Sequence, residues 1–350
     1  MTIIINDRAI GPNHPPYIIA ELSANHNGSL VRALQIIEAA HRCGSDAIKL
    51  QTYTPSTITL NCDRDDFRIQ GGLWDGRTLY ELYEEAHMPW EWHATLFEHA
   101  RKLGITIFST PFDDTAVDLL EDLNAPAYKI ASFEAVDLEL IKYVASTGKP
   151  MIISTGMADA DEIQEAIDAA RVGGCYELAI LHCVSGYPAP PRDYNLRTLP
   201  DMIERFGLVT GLSDHTLDNT TAITSIALGA SIIEKHFTLD RSGGGPDDSF
   251  SLEPLELAEL CMGAKTAWES LGCVDYGRKS SEQRSVKFRR SLYFIKDLKA
   301  GEVVTADSVR SVRPGFGLAP KHLGSVLGRR LKNDVAANTP VSYDSLVVGI

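Results

Sequence analysis

The sequence predicts an α/β protein whose larger part is a (β/α)8 barrel, followed by a small separate domain. Three observations lead there: eight short, near-continuous apolar runs within about 270 residues, amphipathic stretches between successive runs, and no glycine-rich turn after the first run. Apolar runs of this kind are expected where both faces of a parallel sheet are buried. An open doubly wound sheet, the alternative, would want a glycine-rich nucleotide turn after its first strand.

The candidate strands are Tyr17 to Glu21, Ala47 to Gln51, Thr106 to Ser109, Ala127 to Ile130, Met151 to Ser154, Leu178 to Cys183, Leu208 to Leu212 and Ser231 to His236. Helical stretches such as "SLVRALQIIEAAHRCG", "ADEIQEAIDAARVGG" and "NTTAITSIALGA" lie between them. The first sets Leu30, Ala33, Ile37 and Ala40 at helical spacing and stops at Gly44. The barrel is therefore assigned residues 1–275, a linker 276–288, and the second domain 289–350. In the latter, "RRSLYFIKDLKAGEVVTADSVRSV" alternates strand-like pieces with turn residues and has enough apolar content for a small core.

At 350 residues, 44% hydrophobic and 23% charged, the chain has the balance of a soluble globular protein. No apolar run approaches the roughly 20 residues that span a bilayer. The start "MTIIINDRAIGPNHPP" lacks a basic segment followed by a long apolar one, so a cytoplasmic protein is expected. Six cysteines (Cys43, Cys62, Cys175, Cys183, Cys261 and Cys273) form no C-x-x-C pair, which speaks against a zinc ribbon or disulfide framework. A net charge of −14 makes nucleic acid and anionic membranes poor partners. The charge is uneven, with 14 Lys and Arg against 6 Asp and Glu from Tyr276 onward, and 19 against 41 before it. A basic second domain that docks onto an acidic first one is expected.

In such a barrel the C-terminal strand ends form the active face. In chain order they offer Glu21, then Lys49 and Gln51, Ser109 and Thr110, and Lys129, Ser132 and Glu134. The second half adds Ser154, Ser185 and Tyr187, Ser213 and His215, and Glu234 and His236. A strand-end lysine is ordinarily solvated or salt-bridged, but Lys49 and Lys129 lie inside apolar runs and would bring two cations to one mouth. That suits an anionic ligand, with the hydroxyls of Ser109, Thr110, Ser132, Ser154 and Ser213 as further donors to phosphate or carboxylate. A lone histidine is more often structural. His215 and His236 end neighbouring strands, within reach of one divalent metal with positions left for substrate and water, and the residues alone leave both roles open. Glu21, at the tip of a buried strand, is costly there without a partner. His26 tempts as a further ligand, but it adjoins the tight Asn27-Gly28 turn and reads as structural or part of a substrate loop.

Two loops are flexible or turn-rich by composition. "RSGGGPDDSFS" permits close backbone approach and brings Asp247 and Asp248 as acceptors for hydroxyls or amides. "SGYPAPPRDYN" fixes Tyr187 beside prolines, a rigid wall for a pocket.

Together, "IIAE...NHNG", "AIKLQTY", "FSTPFD", "YKIASFE", "ISTGM", "LHCVSGYPAPP", "GLSDHT" and "IEKHFTLD" with "GPDDSFSLEP" resemble the sialic acid synthase family. "FRRSLYFIKDLKAGEVVTADSVRSVRPGFGL" resembles that family's antifreeze-like (SAF) C-terminal domain. "AELSANHNGS", "GLWDGRTLYELYEEAHMPWEWH" and "SGYPAPP" look most like the family's pseudaminic acid branch, with N-acetylneuraminate and legionaminic acid synthesis as the alternatives. The resemblance implies condensation of phosphoenolpyruvate with the open-chain form of a diacetamido-trideoxy hexose, 2,4-diacetamido-2,4,6-trideoxy-L-altrose, with release of phosphate. It also implies a divalent metal on His215 and His236, manganese by resemblance and cobalt or magnesium in its place. By the same resemblance the catalytic set is Glu21, Glu134, His215 and His236. The substrate-binding set is Lys49, Gln51, Thr110, Lys129, Ser132, Ser154, Ser185, Tyr187, Ser213, Asp247 and Arg313. Of these, Gln51, Glu134, Tyr187 and Asp247 would face the acylated sugar. Glu21 would act on the water that attacks C2 or support the metal site. The SAF domain would be swapped across a homodimer, with Arg313 of "SVRPGFGL" reaching an N-acyl group in the partner's barrel.

Two rivals from other classes keep their own signatures. A Schiff-base aldolase would use Lys49 or Lys129 as nucleophile, with no metal and no phosphate release. A non-catalytic sugar-binding protein would keep the loops and have no use for two histidines at strand ends.

Overall fold

The computed structural model describes residues 1–347, so the last positions assigned to the second domain, 348–350, lie outside the described residues. The chain forms two compact units, Met1–Gly272 and a second from Cys273 onward.

The first unit opens with an antiparallel hairpin of β1 (Ile3–Ile5) and β2 (Arg8–Ile10), turned by Asn6 and Asp7 at φ 47° and 63°. Eight parallel strands follow: β3 (Tyr17–Glu21), β4 (Ala47–Thr52), β5 (Thr106–Pro111), β6 (Tyr128–Ile130), β7 (Met151–Ser154), β8 (Leu178–Cys183), β9 (Val209–Asp214) and β10 (Ile232–His236). They pair in chain order, and β10 pairs with β3, so the barrel is closed. The eight expected strands are all present, their ends shifted by at most two residues.

Strand parity sorts the side chains into two cores, because successive residues point to opposite faces. Tyr17, Ile19, Ala47, Phe108, Ala127, Ile152, Ala179, Leu181, Val209 and Ile232 fill the lower barrel interior together with Ile3, Ile5 and Ile10 of the hairpin. The hairpin, which the strand reading left out, therefore plugs the barrel floor. The opposite parity, including Ile18, Ala20, Ile48, Leu50, Ile107 and Ile180, packs against the surrounding helices. Burying each such Ile or Phe is worth about 1.5–3 kcal/mol, which holds register firmly, since a one-residue slip would invert every face. Gly211 shows how tight the interior is: a Cβ there would lie 2.4 Å from the Ile232 carbonyl oxygen. The helix Leu30–Cys43 illustrates the outer layer, capped by Ser29, which accepts from Arg32 N, and stopped by Gly44 at φ 87°.

In the second unit, β11 (Ser291–Phe294) pairs antiparallel with β12 (Val309–Val312). Leu292, Phe294, Val304, Val309, Val326, Leu331, Val341 and Leu346 form its core. Arg313 follows β12 and is exposed. The loop after it is pinned by Ser291 Oγ, which donates to Pro314 O at 2.7 Å and accepts from Gly317 N at 2.9 Å. Among the described residues, no helix is long and apolar enough to cross a membrane.

Candidate active site

The parity that sends Tyr17, Ile19 and Ala47 inward at the barrel floor sends Glu21, Lys49, Gln51, Thr110, Lys129, Ser154, Ser213, Glu234 and His236 inward above it. Facing residues are close by register: Glu21 lies opposite both His236 and Lys49, and Gln51 opposite Thr110. Ser109 departs from the expectation. It stands opposite Leu50 with outward parity, and its hydroxyl meets Thr52 Oγ1 at 2.6 Å, which in turn meets His93 Nε2 at 2.8 Å.

The centre of the ring is a buried alternation of charges. Lys49 Nζ lies 2.5 Å from Glu21 Oε2 and 3.9 Å from Glu234, while Lys129 Nζ lies 3.3 Å from Glu234. Thr110 Oγ1 accepts from Lys49 at 3.1 Å, and Ser213 Oγ donates to Glu234 at 3.3 Å. Burial pushes the Glu21 carboxyl up to about 7 against the pull of Lys49, with the neighbouring Glu234 charge adding to the rise. Burial also works against Glu234, but Lys129 and Lys49 outweigh it and hold Glu234 below the usual carboxylate range. Lys49 is held above its ordinary value because Glu21 and Glu234 overcome its desolvation; Lys129 falls below because burial prevails. Two ammoniums and two carboxylates thus hold one another in place before any ligand arrives.

Glu21 is further tied to the loops. Gln51 Nε2 donates to Glu21 Oε1 and to Ser23 Oγ, both at 3.0 Å, and Ser23 Oγ donates to Asp247 Oδ2 at 2.5 Å. Asp247 also lies 3.8 Å from His236 Nδ1. At the β6 and β7 ends, Ser132 Oγ accepts from Gly156 N at 3.1 Å. Gly156 is needed there: a Cβ would lie 2.3 Å from Ser185 Oγ and 2.8 Å from Ser132 Oγ.

His215 and His236 face each other with ring centroids 5.4 Å apart, and Tyr187 packs 4.4 Å from the His215 ring. His215 Nδ1 lies 2.8 Å from the Val184 carbonyl, which makes it the protonated nitrogen and leaves Nε2 with a free lone pair. His236 Nδ1 is buried without a hydrogen-bond partner, and burial, with the nearby His215, Lys49 and Lys129, holds this imidazole well below its usual value and so neutral. Burial works against the charged form of His215 too, but Cys183, the Val184 carbonyl and Glu234 outweigh it and hold this imidazole above its usual value, so a cation there would take the place of its second proton. Two oriented imidazoles on neighbouring strands fit a divalent cation. No group of three or more His, Cys, Asp or Glu side chains is arranged for a metal among the described residues, so the site would supply two protein ligands and leave the rest open. His26 is spent elsewhere: its Nδ1 accepts from Gly28 N at 3.1 Å and its Nε2 meets Ala86 O at 3.3 Å.

Beside the ring lies a cavity of about 590 Å3. Gln51, Glu134, Ser185, Tyr187, His236 and Asp247 are among its polar lining, with Tyr53 and Tyr83; Ile58, Ile69, Leu79, Leu82 and Phe112 are among its apolar lining. Burial raises the Glu134 carboxyl to about 7, and its Oε2 has no partner, nor has the buried Ser154 Oγ. Glu134 lines the cavity and Ser154 stands in the ring of strand ends beside it, and a buried polar atom without a partner is a candidate ligand contact. Glu234 is legible in sequence as a strand-end carboxylate, but its role between Lys49 and Lys129 emerges only with the fold. The apolar side was not read from the sequence at all.

Closed barrel, strand-end charges and paired imidazoles define a (β/α)8-barrel enzyme that handles a small anionic, oxygen-rich substrate. Residues 36–276 match the NeuB family and residues 289–347 match the SAF domain, and the chain belongs to the NeuB family of sialic acid synthases. It is 46% identical to a pseudaminic acid synthase of Helicobacter pylori, over 95% of this chain and 98% of that protein. It is 34% identical to an N,N'-diacetyllegionaminic acid synthase of Legionella pneumophila, over 94% of each. The crystal structure of an N-acetylneuraminic acid synthetase from Leptospira borgpetersenii superposes with a TM-score of 0.73 at 31% identity, covering 83% of this chain and 96% of that one.

Proposed function

We propose that the chain is a pseudaminic acid synthase, condensing phosphoenolpyruvate with 2,4-diacetamido-2,4,6-trideoxy-L-altrose and water to give pseudaminic acid and phosphate. The observation that carries this reading is a pair of buried lysines at the strand ends beside a cavity whose lining combines apolar side chains with polar ones, the unpartnered Glu134 Oε2 among them. The identity to pseudaminic acid synthases across nearly the whole chain supports the choice of sugar.

Lys49 and Lys129, with Thr110, Ser132, Ser154 and Ser213, are assigned to the phosphate and carboxylate of phosphoenolpyruvate. Glu234 keeps the two ammoniums apart and aimed, so little reorganisation accompanies binding. Gln51, Glu134, Ser185, Tyr187 and Asp247 are assigned to the sugar. His215 and His236 would hold a divalent cation, manganese first and cobalt or magnesium in its place, whose charge draws electrons from the aldehyde oxygen. C3 of phosphoenolpyruvate forms the new bond to the aldehyde carbon as the C=O π pair moves to the aldehyde oxygen, which takes up a proton to become the hydroxyl. Water adds at the oxocarbenium carbon C2. Glu21 is assigned the proton of that water, which its tie to Lys49 and Gln51 orients it to take. Phosphate then leaves with the bridging oxygen, so the keto oxygen comes from water. Arg313 is assigned to an N-acyl group in a partner subunit's barrel; this rests on the sequence resemblance and the opposite charge of the two segments.

The test is a substrate panel of the altrose derivative, its bacillosamine-derived isomers and N-acetylmannosamine, scored by phosphate release and product mass. Turnover at least tenfold faster with the altrose derivative is expected, with 18O from water in the product rather than in phosphate. Preference for N-acetylmannosamine, or 18O in phosphate, would overturn the reading. In the same assay, mixing Arg313→Ala and Lys129→Ala chains should restore activity in heterodimers. No restoration in verified heterodimers would exclude the exchange of Arg313 between subunits.

A further inference from the structure

Most of the apolar lining of the cavity, Ile58, Ile69, Trp74, Leu79 and Leu82, comes from residues 53–89, between β4 and the helix Trp90–Leu103; Phe112 follows β5. Within it, residues 68–78 fold back on themselves: Ile69 N donates to Arg77 O and Gly76 N to Ile69 O, both at 2.9 Å. The turn is possible because Gly71, Gly72 and Gly76 take φ of 79°, 76° and 83°. At its tip stands Trp74. The indole Nε1 donates to Pro246 O at 3.1 Å, and the ring centroid lies 5.9 Å from that of Tyr187. The segment leaving β4 thus reaches the segments leaving β10 and β8, and Trp74 lines the cavity between them.

We propose that Trp74 is a specificity-determining residue that closes the apolar side of the cavity and selects a sugar bearing a methyl group, rather than a hydroxymethyl group or longer polyol, at the position it covers. The inference deepens the functional reading above and rests on it. The only polar atom of the indole is used on Pro246, so the cavity meets ring carbon alone. Tyr53 and Tyr83 also line the cavity, with the Tyr53 ring 5.1 Å from that of Phe112, so the wall without polar side chains is that of Trp74, Ile58, Ile69 and Leu79. A hydroxyl placed against it gives up water and gains no partner, whereas a methyl group loses nothing. An apolar wall of this kind discriminates against an added hydroxyl by about tenfold to a hundredfold.

The test compares the full-length chain with its Trp74→Ala and Trp74→Phe variants, using 2,4-diacetamido-2,4,6-trideoxy-L-altrose and its 6-hydroxy analogue. Steady-state kinetics are paired with calorimetric binding of each sugar. The wild-type chain is expected to prefer the 6-deoxy sugar by about tenfold to a hundredfold in kcat/KM. Trp74→Ala should raise KM for that sugar about tenfold and bring the preference to within about threefold, with KM for phosphoenolpyruvate unchanged. Trp74→Phe, which keeps a ring and loses the bond to Pro246, should retain most of the preference. A Trp74→Ala chain with the wild-type preference overturns the inference and leaves the functional reading standing, as does an equal loss of phosphoenolpyruvate affinity. Failure of the wild-type chain to bind or convert either sugar overturns both.

Discussion

A His236→Ala chain is expected to turn over at least about a thousandfold more slowly than wild type, and His215→Ala by a similar factor. Loss of a cation that stabilises developing charge removes several kcal/mol of barrier lowering, and about 4 kcal/mol is a thousandfold. The size of the effect follows from the number of ligands. With His215 and His236 5.4 Å apart and no third His, Cys, Asp or Glu grouped with them among the described residues, deletion of one imidazole leaves a single protein ligand. The nearest carboxylate, Asp247, is 3.8 Å from His236 Nδ1 and is engaged by Ser23, so it is poorly placed to substitute. Calorimetric titration with Mn2+ should show the same collapse in affinity in both variants, independently of turnover. Thorough chelation of the wild type should reproduce the loss, with recovery on adding metal back; the variants should not recover. Turnover within tenfold of wild type in either variant, or wild-type turnover that survives chelation, would remove the metal from the reaction.

How much of this was legible beforehand depended on whether a single periodicity decided the matter. The strands were, because runs such as "YIIAE" and "LAILHC" are apolar throughout and bounded by turns, and the ring followed from reading what ends each of them. The misplacement of Ser109 is a parity error: "FSTPF" offers two adjacent hydroxyls, and only register against Gln51 and Leu50 tells that Thr110 faces in and Ser109 out. The floor hairpin carried a signal in "INDR", since Asn and Asp tolerate the positive φ of a two-residue turn, but each strand is only three residues long. The apolar side of the cavity had no local signal. Ile58, Ile69, Trp74, Leu79 and Phe112 sit at no common period, and only the fold brings them together. The opposite was true of the charges: Lys49, Lys129 and Glu234 stood out in sequence, and what folding added was that the carboxylate lies between the two ammoniums.

A Lys235→Met substitution is expected to destabilise the barrel by about 3–5 kcal/mol, although Lys235 touches no assigned substrate position. Its parity is opposite to that of Glu234 and His236, so it leaves the barrel interior and ends in a cage of oxygens. The ammonium donates to Asp214 Oδ2 at 2.8 Å, Thr216 O at 2.7 Å and Asp218 O at 2.9 Å. Both charges are buried, at 2% and 0% side-chain exposure. Methionine preserves the stem's volume and removes the charge, leaving Asp214 with its bonds from Thr216 N and Oγ1, at 2.9 and 3.1 Å, Thr216 O without its donor, and Asp218 O with Thr216 Oγ1 alone, at 3.1 Å. For a unit of this size the melting temperature should fall by roughly 10 °C. Lys235→Arg should not rescue it, since a planar fork does not fit a cage closed around a compact ammonium. Lys235→Met with Asp214→Asn should recover part of the loss, because the second change removes the stranded charge. The cage also winds residues 214–218 around one point, and His215 lies inside that loop, with its N–H bound to Tyr194 Oη at 2.7 Å. Lys235→Met should therefore weaken Mn2+ binding below the melting transition, where a purely global loss of stability would leave it unchanged. A melting temperature within 2 °C of wild type, roughly 1 kcal/mol or less, would show that this buried pair is not what holds the loop.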